Sequence, residues 1–429
     1  MIKNKRSRVR WQILGLLFMI SVVTYIDRVN ISIAAKEMIP ELGLSSVAMG
    51  TVFSAFVLGY ALFQIPGGWL GDMWGSRSVL TLAVLWWSVF TFLTAEANNL
   101  FWSTFLGILV SLILIRFLVG VGEAAALPNF NRTAANWLAP SERGLGIGVS
   151  IGGIGLGSAV TPPLVAWLMI HYGWRAAFYA TSGIGIVVAI AWYLFSRDHP
   201  HQHPLVNREE LAWISQSPTE SRPNLSSENL NFTDLLRLRS IWFLTLSYTM
   251  LGYVAYIYLS WFFLYLVNVR HFTVLEGSLL GSGPFIAIAV FCPLGGWITD
   301  RLTKRHGHSV GRTGVGAAGM FLTSLLIYSG AVAKGPYTAV LILSLGAGIL
   351  YATVGAYWAS TIDFSHKHSG ALSGLMNMGA NLGGTISPTL TPFIGEKWGW
   401  PIALTVAAGA AFLGSLLWFG VKFDKEMEV

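Results

Sequence analysis

Twelve times along its 429 residues the chain runs through a helix-length stretch with almost no charge. A run of about twenty apolar residues coiled as a helix spans the ~30 Å hydrocarbon layer of a bilayer. Composition agrees with lipid as the solvent: 54% of residues are hydrophobic and 11% charged, against roughly a quarter charged in a soluble domain. The expectation is an all-α membrane protein crossing the bilayer twelve times.

Six runs fall near residues 11–35, 47–70, 79–97, 101–130, 144–170 and 174–195, and six more near 241–267, 277–299, 314–333, 337–362, 370–395 and 400–421. Between the sets, residues 196–240 are rich in Pro, Ser, Asn and charge and read as a cytoplasmic linker. The expected organisation is therefore a six-helix bundle over residues 1–195, the linker, and a second six-helix bundle over 241–429. The basic lead from Lys3 to Arg8 resembles a signal peptide, but the apolar run that follows is too long and Asp27-Arg28 interrupts it, so a retained first span is expected.

The formal charge of +7 does not point to nucleic acid, because Lys and Arg sit in short loops rather than on one patch. With the amino terminus inside, 20 of the 27 basic residues fall on the inner side, five outside and two within spans. That asymmetry predicts two cytoplasmic termini and a multi-pass protein of the cell membrane. Cys292 is the only cysteine, so no intrachain disulfide or Cys-based metal site can form. His199, His201 and His203 alternate in a Pro-rich loop and are read as solvated; no metal and no cofactor are expected. The sequons at Asn224 and Asn231 fall on the cytoplasmic side and should go unused.

The halves repeat. Gly67-Gly68-Trp69-Leu70-Gly71-Asp72 returns as Gly295-Gly296-Trp297-Ile298-Thr299-Asp300 at an offset of 228, and Gly148, Gly153, Gly157, Pro162 and Gly173-Trp174 return as Gly374, Gly379, Gly383, Pro388 and Gly399-Trp400 at 226. Six spans lie between the copies, so the repeat is parallel, with a pseudo-twofold axis along the membrane normal.

These residues resemble the major facilitator superfamily over essentially the whole chain. The loop after span two reads Gly68-Trp69-Leu70-Gly71-Asp72-Met73-Trp74-Gly75-Ser76-Arg77, with Met73 where the family has a basic residue; the second copy keeps Asp300-Arg301 but not the later Gly. The resemblance implies a conformational role for Gly68, Asp72, Gly75, Arg77, Asp300 and Arg301. Within the superfamily the chain is most similar to the anion:cation symporter family of hexuronate, aldarate and galactonate carriers and their animal relatives. That similarity rests on Tyr25 to Asn30, on Phe53 through Tyr60 to Trp69, and on Arg116 through Gly122-Glu123 to Pro128.

Only four ionisable residues lie deep in the expected spans: Asp27, Arg28, Arg116 and Glu123. Each costs roughly 3 kcal/mol or more at bilayer depth unless paired or hydrated, so they should share a cavity. Arg116 and Glu123 are seven apart and fall on one helical face; Asp27 and Arg28 diverge by about 100° and can address different partners. The quartet is neutral, so an added substrate carboxylate leaves an uncompensated negative charge and should recruit a proton. A purely structural lock between spans one and four is the competing use. The family resemblance gives Arg28 a substrate-binding role and Asp27 and Glu123 proton-carrying roles, and it places Tyr60, Trp358 and Asn377 at substrate contacts. Arg116, as an arginine, suits bidentate carboxylate capture, and Tyr357, like Tyr351 and Asn381, suits substrate hydroxyls. Gly153 stands where galactonate-type carriers have a polar side chain, which leaves room for a smaller acid.

The expected function is proton-coupled symport of a small organic anion, a sugar acid or related carboxylate, by a monomer in a lipid bilayer. An uncoupled facilitator or exchanger, a sodium-coupled carrier of the same fold, and a multispan enzyme or sensor are the alternatives. No Gly-x-x-x-x-Gly-Lys-Ser/Thr loop for ATP is present.

Overall fold

The computed structural model describes residues 6–139, 142–215, 236–364 and 369–423; Asn224 and Asn231 lie outside them. Among the described residues there is no strand. The main helices of the first half are α1 (Val9–Glu41), α2 (Ser46–Trp74), α3 (Ser76–Ala95), α4 (Ile108–Glu123), α5 (Ala126–Trp137), α6 (Arg143–Tyr172) and α7 (Trp174–Phe195). A short linker helix follows, α8 (Arg208–Ile214). The second half holds α9 (Arg239–Ser260), α10 (Val274–Gly281), α11 (Gly283–His308), α12 (Val315–Val332), α13 (Pro336–Ala352), α14 (Val354–Phe364), α15 (Ser369–Trp398) and α16 (Trp400–Trp418).

Ten stretches are long and apolar enough to cross a membrane, and one of them, the 59-residue Val274–Val332, holds two crossings. The 30-residue α15 is long enough for a further crossing but is not one of these ten apolar stretches. Two pairs, α4–α5 and α13–α14, are single crossings with a break. In the first, Pro128 has no N–H to offer the Ala124 carbonyl, and the Asn129 side chain ties the break to α2 by donating to Ala125 O at 2.9 Å and Gly67 O at 3.1 Å. In the second, Thr353 turns its hydroxyl onto Leu350 O at 2.6 Å.

The chain forms two compact units, Met1–Met38 with Leu58–Ser221, and Ile39–Val57 with Arg222–Val429. The start of α2 belongs to the second unit because Gly50 brings it onto the backbone of Pro388, where a Cβ would meet the carbonyl oxygen at 2.2 Å. Ser54 and Thr389 add a hydroxyl pair at 2.8 Å.

The repeat has a physical reason. A Cβ on Gly67 would lie 2.7 Å from Ala125 Cα, inside the break of the fourth crossing; one on Gly295 would lie 2.0 Å from Ala352 O, at the break of the tenth. Likewise Gly157 packs on Val22 O (2.5 Å) and Tyr25, and Gly383 on Thr249 O (2.1 Å) and Tyr253. The Gly-Trp corners are turns with Gly173 at φ +78° and Gly399 at φ +94°, a region that glycine alone enters at no steric cost. Most of the repeated glycines are thus where backbones touch or reverse; Gly148 and Gly374 have nothing within 4 Å of a Cβ.

The second loop does keep a positive-φ glycine, later than the sequence repeat suggested. Gly75 sits at φ +79° three residues after Asp72, whereas Gly307 sits at +81° seven after Asp300. The extra four residues are about one helical turn.

Candidate functional site

Asp27 and Arg28 lie on α1, Tyr60 on α2, Arg116 and Glu123 on α4, and all five belong to the first unit. Arg28 binds Glu123 through Nη2 at 2.9 Å and Nε at 3.2 Å, both onto Oε2. Its Nη1 donates to Tyr25 Oη at 3.2 Å, and its Cζ lies 4.6 Å from the ring centroids of both Tyr25 and Tyr60. Two aromatic faces and one carboxylate therefore hold the guanidinium in one plane. A narrow, water-sized cavity lies beside this group, lined also by Ser21, Thr24, Leu127 and Phe130.

Asp27 points to the other side of α1, as its 100° separation from Arg28 requires. It is fully buried, beside Thr181 on α7 and Trp87 on α3 and within electrostatic range of Arg116 and Glu123. Its carboxylate oxygens accept no hydrogen bond among the described residues. Asn30, one turn on, donates to Thr181 Oγ1 at 3.1 Å. The sequence left the pairing of the two acids open; the structure pairs Glu123 with Arg28. It also adds Tyr25, Thr24 and Thr181, of which Tyr25 was legible as the residue one turn before Arg28.

Gly153 does not enlarge the cavity. A Cβ there would meet Phe18 O at 2.7 Å and Ser21 Cβ at 2.8 Å, so α6 has moved in against α1 and the room expected for a substrate is filled by helix packing.

In the second unit, Tyr357 lies inside the bundle. It is fully buried, its hydroxyl pairs with Ser247 Oγ at 2.6 Å, and its ring packs on Tyr248 and Trp418. That geometry packs it in the interior of the second unit. Trp358, next on α14, is 42% exposed and donates its indole N–H to Tyr248 Oη at 3.0 Å. Asn377 on α15 is half-buried, and its carbonyl accepts from Asn381, whose Oδ1 takes the Tyr256 hydroxyl at 3.2 Å.

The loop residues are anchored in each unit. Gly68 on α2 faces Pro128, where a Cβ would make a tight 3.3 Å contact with the proline ring. Asp72 pairs with Arg132. Gly75 leaves space for Asp198, whose Oδ1 caps α3 at Arg77 N (2.9 Å), while Arg77 donates to Tyr193 O at 2.8 and 3.0 Å. In the second unit Asp300 pairs with Arg312 (2.9 Å), which also holds Asp363 (2.8 Å), and Arg301 lies over Trp297. Arg132, Asp198, Arg312 and Asp363 carry no motif position and were not singled out by sequence. The three linker histidines separate: His199 and His201 stack, and His203 turns inward.

Against known proteins, the sequence profile described as Major Facilitator Superfamily matches residues 17–363. The chain belongs to that superfamily. As a superfamily member it is a multi-pass membrane transporter and not an enzyme. It is 33% identical over 403 residues to a protein named "Probable sulfoacetate transporter SauU" from Cupriavidus necator, covering 92% of this chain and 90% of that protein. It is 31% identical over 433 residues to the probable galactarate/D-glucarate transporter GudP of Escherichia coli (97% and 92% covered) and 30% identical over 416 residues to the hexuronate transporter of Bacillus subtilis (96% and 94%). A superfamily fold is also what a solved bacterial homolog of the human lysosomal transporter Spinster, titled inward-facing and unoccupied, shares with it: TM-score 0.77 at 19% identity, over 98% of this chain and 100% of that one.

Proposed function

We propose that this transporter couples the movement of a small organic anion to that of protons, with Arg28 as the anion's counter-charge and Glu123 as the acid that yields to it. The observation carrying this reading is the Arg28–Glu123 pair, buried between two tyrosines at the wall of a cavity. A substrate carboxylate or sulfonate that takes Arg28 leaves Glu123 without its cation in a low-dielectric chamber, where binding a proton restores neutrality. Substrate and proton then favour each other's binding, which is the coupling that symport needs. Asp27, near Arg116, is the second acid of the same balance. Relatives named for sulfoacetate, galactarate/D-glucarate and hexuronate support a small acid as cargo. Tyr60 and Arg116 in the first unit and Trp358 and Asn377 in the second are the further substrate contacts. The loop groups around Asp72 and Asp300 act in the conformational change, and both termini face the cytoplasm of a cell-membrane monomer.

Uptake into proteoliposomes tests this. With a panel of small carboxylates and sulfonates, an inward proton gradient should concentrate at least one of them, and a protonophore should abolish the accumulation. Accumulation driven by a sodium gradient instead, or equilibration without accumulation, would refute proton coupling.

A further inference from the structure

We infer that the end of α11, from Arg301 to the reversal at Gly307, is a docking surface for the phosphodiester headgroups of anionic membrane lipids. This stretch reaches its positive-φ glycine four residues later than its counterpart in the first unit, and the added length is basic. Arg301, Lys304, Arg305 and His306 are all exposed, and among the described residues none of them forms an ion pair. The acids close by are already engaged: Asp300 with Arg312, and Asp363 with Arg312 and with His308 at 3.0 Å. In the shorter turn of the first unit the one cation, Arg77, is tied to the Tyr193 carbonyl.

The cations continue a lipid-facing stripe. Val290, Leu294 and Trp297 are 51, 48 and 59% exposed and follow one another at helical spacing up α11, with Arg301 next in the row. Arg301 holds its guanidinium 5.2 Å from the Trp297 ring centroid. An aliphatic stretch, then an interfacial tryptophan, then a run of cations matches a phospholipid from acyl chain to headgroup. A second occupant matches in charge alone, the acidic end at 424–429 with Asp424, Glu426 and Glu428. That end starts nearby, since Phe423 packs on Phe364 and His308. Its only apolar residues are Met427 and Val429, against a row that runs from Val290 through Leu294 to Trp297, whereas a lipid acyl chain covers the whole row.

The test is native mass spectrometry of the full chain in detergent, titrated with phosphatidylglycerol or phosphatidylcholine. Phosphatidylglycerol should be retained preferentially. Lys304→Gln should weaken that retention about fivefold, and Arg301→Gln with Lys304→Gln and Arg305→Gln on the order of a hundredfold, at about one lipid-facing cation's worth per substitution. Glycerol 3-phosphate should not compete at matched concentration, and deletion of 424–429 should leave the preference in place. Equal retention by wild type and both variants would overturn the proposal. So would competition by glycerol 3-phosphate, or a preference that emerges only once 424–429 is removed.

Discussion

The two units use the same backbone contacts and opposite side-chain chemistry. At the 228-residue offset, Asp27, Arg28, Arg116 and Glu123 correspond to Ala255, Tyr256, Ser344 and Tyr351, so every deep charge of the first unit has a neutral counterpart in the second. The close approaches are retained: Gly67 and Gly295 at the helix breaks, Gly157 and Gly383 between neighbouring helices. Where Arg28 binds Glu123, Tyr256 binds Asn381. Four charges confined to one unit can neutralise one another, which lowers the cost of placing them in lipid. Divided between units, each would need a partner that moves with it. The repeat thus preserves how helices touch, while the charge chemistry resides in one copy.

Removing Arg28 should break this asymmetry most severely. Arg28→Ala leaves Glu123 buried beside the cavity without its cation, a change worth roughly 3–5 kcal/mol for a buried pair. The variant should show no substrate-induced thermal shift; retained affinity would take Arg28 out of the site. Glu123→Gln can still accept a bond from Arg28 but carries no titratable proton, so counterflow should persist while gradient-driven uptake disappears. Normal accumulation by that variant would remove Glu123 from the proton path.

The shared scaffold can be tested at its closest contacts. Gly295→Ala would push a methyl to 2.0 Å from Ala352 O, and Gly67→Ala one to 2.7 Å from Ala125 Cα. Each should destabilise its unit by about 1–3 kcal/mol, as overpacking does, with Gly295→Ala the worse. Gly296→Ala is the control, because a Cβ there meets nothing within 4 Å, and its melting temperature in detergent should match wild type. If all three variants melt together, the glycines are not where the helices need to touch.

The scaffold was more legible in sequence than the site. Apolar length and the Gly-Gly-Trp and Gly-Trp blocks report backbone constraints, and those are periodic or exclusive to one residue type. The charged quartet was legible because charge in a span is rare, so Asp27, Arg28, Arg116 and Glu123 stand out without any knowledge of packing. Neutral polar residues carry no such signal. Tyr357 and Trp358 are adjacent and equally suited to a sugar hydroxyl, yet one residue of helical rotation puts Tyr357 in the core and leaves Trp358 partly exposed. Gly153 was read as space, and only the position of α6 against Phe18 and Ser21 reveals it as contact. The loop ion pairs of Arg132 and Arg312 join residues 60 and 12 apart, the first between α5 and α2 and the second between the α11–α12 turn and α11, a juxtaposition that spacing alone does not encode.

Tyr357 sharpens the comparison inside the second unit. Tyr357→Phe removes the 2.6 Å hydroxyl pair with Ser247 and keeps the ring between Tyr248 and Trp418. A net loss of about 1 kcal/mol is expected, read as a lower melting temperature with an unchanged KM for uptake. Trp358→Phe and Asn377→Ala should do the reverse. A raised KM for Tyr357→Phe at wild-type stability would return Tyr357 to the substrate site.

The smallest effect concerns the linker, whose residues up to 215 belong to the first unit. Glu210 of α8 is fully buried and accepts from Ser7, Val9 N and Arg10 at the start of α1. His203 lies just before it, donating from Nε2 to Phe195 O at 3.0 Å and accepting at Nδ1 from Leu205 N at 3.2 Å. That pattern fits the neutral ring, and burial holds its pKa below the ordinary histidine value. Unfolded, the linker binds the proton more readily than it does when docked, so docking is fully favoured at neutral pH and weakens as pH falls below about 6.5. Hydrogen exchange over residues 197–214, corrected for the intrinsic pH dependence, should show protection falling with acidification. His203→Gln should flatten that dependence while leaving the Glu210 contacts. Protection that stays constant in wild type, or falls equally in His203→Gln, would assign the linker's hold on the first unit to Glu210 and Asp198 alone.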